Sequence, residues 1–107
     1  MKIRKLLNHS IVFDNDKDIS FEHEADCCEY NYADFPQVIE NNSDILDYDF
    51  EENLKFEKCD YGFRFGDSKR MFFVPCYSEQ NGFYSTDIDI FYDDHHVLHA
   101  NCAEITE

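Results

Sequence analysis

At 107 residues the chain is long enough for one modest hydrophobic core and too short for two, so a single domain spanning residues 1–107 is expected. Its 24 acidic residues against nine Lys and Arg give a formal charge of −15, which excludes direct attraction to nucleic acid or an anionic membrane and favours basic partners at long range. Seven Tyr and eleven Phe exclude the disorder that such charge usually brings, because they alternate with polar residues as buried faces do.

The first basic and apolar residues, Met1 to Leu7, are cut short by Asn8, His9 and Ser10, too early for a signal peptide. No window approaches 18 consecutive apolar residues. A cytoplasmic protein of a bacterial host is therefore expected. Five cysteines are an odd number, and the adjacent Cys27 and Cys28 diverge too much for a disulfide, so reduced thiols serving as small core residues are the expectation.

In chain order, Ser10–Asp14 and Ile19–His23 flank the turn-like Asn15–Asp18 and predict a hairpin. Cys27–Phe35 alternates Cys, Tyr and Asp and predicts a further strand. Pro36–Glu40 predicts one helical turn, since Pro suits the first turn of a helix. Asn41–Asn53 reads as an acidic loop or short helix with Ser43 as its N-cap and Ile45, Leu46 and Phe50 on one apolar face.

Leu54–Cys59, Tyr61–Phe65 and Arg70–Tyr77 predict three more strands, with a turn at Gly66–Lys69; Pro75 places its strand at an edge or a bulge. Asn81-Gly82 closes a hairpin into Phe83–Tyr92, where Tyr84, Thr86, Ile88, Ile90 and Tyr92 face one way and Ser85, Asp87, Asp89 and Phe91 the other. The resulting fold class is α+β: a twisted, mainly antiparallel sheet of five or six strands with one or two short helices.

Charge is segregated along the chain. Between Asp18 and Leu54 there are twelve carboxylates and no Lys or Arg, and from Met71 onward there are seven carboxylates and again no Lys or Arg. Acids two apart on a strand share a face at about 6.6 Å, a spacing on the order of that between neighbouring backbone phosphates. Asp87/Asp89 and Asp47/Asp49/Glu51 have that spacing.

His23-Glu24-Ala25-Asp26-Cys27-Cys28-Glu29 and Asn81-Gly82-Phe83-Tyr84-Ser85 resemble, in order and rough spacing, the His-x-x-Asp-Cys-Cys-Glu stretch and the Asn-Gly-(Phe/Tyr)-Tyr-Ser hairpin of a small domain family of phage and prophage proteins. Ala25 stands where that family usually has a polar residue, and Phe83 where Tyr is common. The resemblance implies a phage or mobile-element setting and an α+β fold, and it implies no reaction.

Two clusters carry ligand-type side chains. His23 with Cys27, Cys28 and Glu29 offers imidazole and thiolate, but adjacent cysteines point to opposite faces of a strand, so a structural role is expected. His95, His96, His99 and Cys102 match no zinc-ligand spacing; solvated histidines on an edge strand are expected, with Asp93 and Asp94 raising their pKa. With three glycines a phosphate cradle is hard to build, and no nucleophile elbow occurs.

The expected function is that of a non-enzymatic acidic inhibitor from a phage or mobile element. It would bind the basic nucleic-acid groove of a host defence nuclease such as a CRISPR effector, through Asp44, Asp47, Asp49, Glu51, Glu52, Asp87, Asp89, Asp93 and Asp94. No cofactor and no metal are expected. The alternatives are an immunity protein that neutralises a basic nuclease toxin, and a metal- or thiol-dependent enzyme using His23 and Cys28 or the C-terminal histidines.

Overall fold

The computed structural model describes residues 1–22, 29–80 and 87–105. Among them ten strands form two sheets. The first contains β1 (Ile3–Leu6), β2 (Ser10–Phe13), β3 (Asp18–Glu22), β8 (Asp87–Tyr92) and β9 (His95–Asn101), in that spatial order and antiparallel throughout. The second contains β4 (Glu29–Ala33), β5 (Lys55–Cys59), β6 (Gly62–Gly66), β7 (Met71–Gln80) and β10 (Ala103–Ile105). Its pairs are antiparallel except β10 on β7, which is parallel. One α-helix, α1 (Phe35–Asn41), and a 3-10 turn over Ile45–Asp47 complete the described elements.

Five or six strands in one sheet are thus corrected to ten in two sheets; the mainly antiparallel character and the short helix stand. The reason is coverage. A helix of seven residues that buries only Phe35 and Val38 is too small to cover a sheet rich in Phe and Ile, so the two sheets bury their apolar faces against each other. Ile11, Phe13, Ile19, Ile88 and Ile90 from the first sheet join Phe63, Phe65, Phe72, Val74 and Cys76 from the second in one core. Phe50 seals it, edge-on to Phe13 at 5.5 Å and stacked on Phe65 at 5.7 Å. A buried polar link accompanies them: Ser78 Oγ donates to Asn31 Oδ1, and Asn31 Nδ2 donates across the sheets to the Asp87 carbonyl at 3.4 Å.

The alternation in β8 appears as expected, with Ile88 and Ile90 buried and Asp87 and Asp89 on the outer face. Tyr84, Ser85 and Thr86, the Asn81-Gly82 turn and the His23–Cys28 cluster lie outside the described residues. Pro75 lies on an inner strand rather than an edge: it stands opposite Gly62 of β6, and its carbonyl accepts the Asp34 N–H at 2.8 Å just where β4 takes over as partner from Cys76 onward. Cys59, Cys76 and Cys102 are free thiols, the latter two buried, and the hydrogen bond with Cys102 together with burial pushes the Cys76 thiol up.

Three local expectations change. The N-terminal basic residues form β1, because Ile3 buries while Arg4 and Lys5 stay outside. Ser43 caps nothing: Asp34 caps α1 by accepting from the Gln37 N–H at 3.2 Å, and Asp44 holds the cap position of the 3-10 turn without a side-chain bond. Leu46 does not share the apolar face of Ile45 and Phe50; it is exposed, because the 3-10 turn is too short to repeat a helical face.

Ile88→Asp is predicted to abolish cooperative thermal unfolding followed by circular dichroism, since an unpaired buried charge costs several kcal/mol against a total of about 5–15 kcal/mol. Asp87→Asn, on the outer face, is predicted to change stability by less than about 1 kcal/mol. Equal effects of the two substitutions would mean the faces of β8 are assigned wrongly.

Candidate functional site

The nine acidic candidates fall into three groups. The central group is held by a residue that reads in the sequence only as part of a turn. Gly66 permits the β6–β7 turn to close, since a Cβ there would lie 2.0 Å from the Arg70 carbonyl oxygen. Asp67, 3% exposed, then turns its carboxylate inward and accepts the Lys69 N–H at 2.9 Å, the Arg70 N–H at 3.0 Å, the Glu51 N–H at 3.1 Å and the Tyr48 hydroxyl at 2.9 Å. Burial pushes this carboxyl up, but the Lys69, Glu51, Tyr48 and Arg70 donors together outweigh it and hold the pKa at about 2.

Around that anchor the acids are unequal. Asp44 is gripped by the fork of Arg70, Nη1 to Oδ2 at 2.5 Å and Nη2 to Oδ1 at 3.1 Å, which holds its carboxyl low. The Arg70 guanidinium lies 4.4 Å from the Phe72 ring centroid. Asp49 accepts from the Met1 amino group at 2.8 Å, and Lys2 and Lys69 add to the field that lowers its pKa. Glu51 accepts from Ser68 Oγ at 2.5 Å. Asp47 and Glu52 are exposed.

The second group is the β8–β9 turn. Asp93 and Asp94 both take positive φ, 52° and 62°, as a two-residue hairpin turn requires and as Asp tolerates. The Asp93 N–H donates to the Asp18 carbonyl at 2.9 Å. Burial first, then the charge of Asp94 and, more weakly, of Asp93, raise the Asp18 pKa. The strand before this turn and the acidic segment meet the same core ring: Phe13 lies 6.2 Å from Tyr92 and 5.5 Å from Phe50, and Phe50 pairs its N–H with the Met1 carbonyl at 2.7 Å.

The third group, Asp87 and Asp89, does not stand as a bare row. Asp89 pairs in register with His99 on the neighbouring strand. His99 Nδ1 lies 2.8 Å from Asp89 Oδ1, its Nε2 lies 3.2 Å from Asp87 Oδ2, and His96 Nε2 lies 3.0 Å from Asp89 Oδ1. The carboxylates of Asp89 and Asp87 raise the His99 pKa, and His99 lowers that of Asp89. At His99 the acids that act are thus Asp89 and Asp87 on the neighbouring strand. Chemically, the cluster is a proton-dependent charge pair on an open face: protonated His99 cancels part of the row, and neutral His99 restores it.

Sequence reasoning missed Asp67, the pairing of Asp89 with His99, and a second exposed feature, the tyrosines of β4 and β7. Tyr30 and Tyr32 stack at 5.0 Å with 26° between ring planes, and Tyr32 meets Tyr77 at 5.8 Å. The signal for this ladder is present in Tyr30-Asn31-Tyr32, since residues two apart on a strand share a face. No helix of the described residues is long and apolar enough to cross a membrane. No family model, curated protein or solved structure matches this chain.

Asp67→Asn is predicted to cost about 2–3 kcal/mol in urea unfolding at neutral pH, since a buried charged acceptor with several donors is replaced by a weaker one. The folded pKa of about 2 lies below the unfolded value of 3.8, so the stabilisation is complete above about pH 4 and is lost as pH falls toward 2. The difference between wild type and variant should therefore shrink at about pH 2.5. An undiminished difference there would show that the carboxylate's charge is not what the turn uses.

Proposed function

We propose that this chain is a non-enzymatic acidic inhibitor of phage or mobile-element origin that occupies the basic nucleic-acid groove of a host defence nuclease, a CRISPR effector being the fitting class. The observation that carries the reading is the set of exposed carboxylates that no arginine opposes. Asp93 and Asp94 project from a tight turn and Asp47 and Glu52 from the segment after α1, all four exposed, while the three arginines are each paired elsewhere: Arg4 with Asp16, Arg64 with Glu57 and Arg70 with Asp44.

A basic groove gains binding free energy by releasing the counterions condensed on nucleic acid, and an acidic protein surface that displaces the nucleic acid competes for the same contacts. The resemblance of the His23–Glu29 and Asn81–Ser85 stretches to phage domains supports the origin. The same charge steers the encounter, so association is fast at low salt and slows as salt screens it.

Affinity capture from bacterial lysate, followed by kinetics on the captured protein, tests this. The partner is expected to leave the complex as salt rises and to bind duplex DNA and this protein in mutually exclusive fashion. Changing Asp47, Asp49, Asp93 and Asp94 to Asn and Glu51 and Glu52 to Gln should slow association about tenfold with little change in dissociation, the fold surviving because Asn also accepts positive φ. Affinity that ignores salt and these substitutions would reject the reading and point to an apolar hot-spot interface.

A further inference from the structure

Between the β1–β2 turn and β4 lies a cleft of about 220 Å³ bordered by Asn8, His9, Tyr30, Tyr32, Asp34 and Pro36. Its wall is the stacked pair Tyr30 and Tyr32; Tyr30 remains 45% exposed. Tyr32 is fixed from behind by Tyr77, whose hydroxyl donates to Gln37 Oε1 at 2.7 Å. At one side sits Asp34. Its Oδ1 takes the Gln37 N–H, and no other hydrogen bond reaches its side chain among the described residues.

Stacked phenol rings beside a carboxylate are chemistry for a flat cation. A guanidinium is planar, weakly hydrated and stacks on aromatic faces while its edge bonds a carboxylate; an ammonium is a compact, strongly hydrated point charge and gains less from such a wall. We infer that the Tyr30–Tyr32–Asp34 cleft receives an arginine side chain of the basic partner. This rests on the proposed basic partner and adds to it an anchor that reads the kind of cation, where the exposed carboxylates read only its charge. Charge complementarity at the cleft is local: Glu79 and Asp34 both act on the Tyr32 hydroxyl and, behind burial, raise its pKa.

The test uses the whole protein with acetylated, amidated hexa-arginine and hexa-lysine as probes, followed by calorimetry and proton NMR. Hexa-arginine is expected to bind more tightly, with the δ-methylene protons of its arginines shifted upfield by the tyrosine rings. Tyr30→Ala and Asp34→Asn should each weaken it about fivefold, a factor in the range of an exposed cation–π contact, and should weaken hexa-lysine less. Both variants should keep the fold, since Tyr30 is at the surface and Asn still caps α1; circular dichroism checks this. The inference is overturned if both variants bind hexa-arginine as tightly as wild type without the upfield shift, or if hexa-lysine binds equally well with equal sensitivity. In the first case, binding that still falls with salt and on neutralising residues 47–52 leaves the groove-occupying reading intact. Conversely, loss of hexa-arginine on Tyr30→Ala alongside a salt-insensitive captured partner would sustain the cleft and reject the groove.

Discussion

The carboxylate of Asp67 is where the acidic segment becomes structure. Residues 44–52 carry five acids that repel one another, so the segment needs something besides the burial of Ile45 and Phe50 to hold it in one conformation. Asp67 gives it a fixed point. By accepting from Glu51, Lys69, Arg70 and Tyr48 at once, one buried charge closes the β6–β7 turn, ties the segment to that turn and orients Tyr48 over the core. Tyr48 meets Phe50 edge-on at 4.7 Å and Phe72 at 5.3 Å, so the polar anchor and the aromatic core support the same backbone. Arg70 then carries the arrangement outward, its N–H on Asp67 and its guanidinium on Asp44.

A total of −15 says nothing about where the charge is usable. In the folded chain the acids divide by what opposes them. Asp44 and Asp49 are matched by cations, Asp87 and Asp89 are matched by His99 whenever it is protonated, and Asp47, Glu52, Asp93 and Asp94 project from exposed turns. The last set is the one a basic groove would meet first. The tyrosine ladder lies on the outer side of the other sheet, so a partner engaging both would contact the protein over more than one face.

Much of the fold was legible. The hairpin of β2 and β3, the helix at Pro36 and the inward set of β8 follow from period-two alternation and turn chemistry, which act over a few residues. What the sequence hid is non-local. The pairing of β3 with β8, which makes two sheets out of one list of strands, joins residues about seventy apart, and no local pattern encodes it. The three-residue β10 carries no usable alternation and is a strand because β7 pairs with it, whereas the histidines of β9 do lie on an outermost strand of their sheet as expected. Of the candidate site, the acids were visible as composition. Their neutralisation by Arg70 and His99 was not, because ion pairing depends on which side chains the topology brings together. Asp67 looked like an ordinary Gly-Asp-Ser turn; only burial reveals a structural charge.

The most direct test is amide hydrogen exchange, read residue by residue, of wild type against Asp67→Asn. If Asp67 organises the acidic segment, the amides of Glu51, Lys69 and Arg70 are protected in wild type and lose that protection together in the variant, while those of Ile88 and Ile90 keep theirs. Rapid exchange of Glu51, Lys69 and Arg70 already in wild type, or a variant in which only the two turn residues change and Glu51 stays protected, would contradict the account.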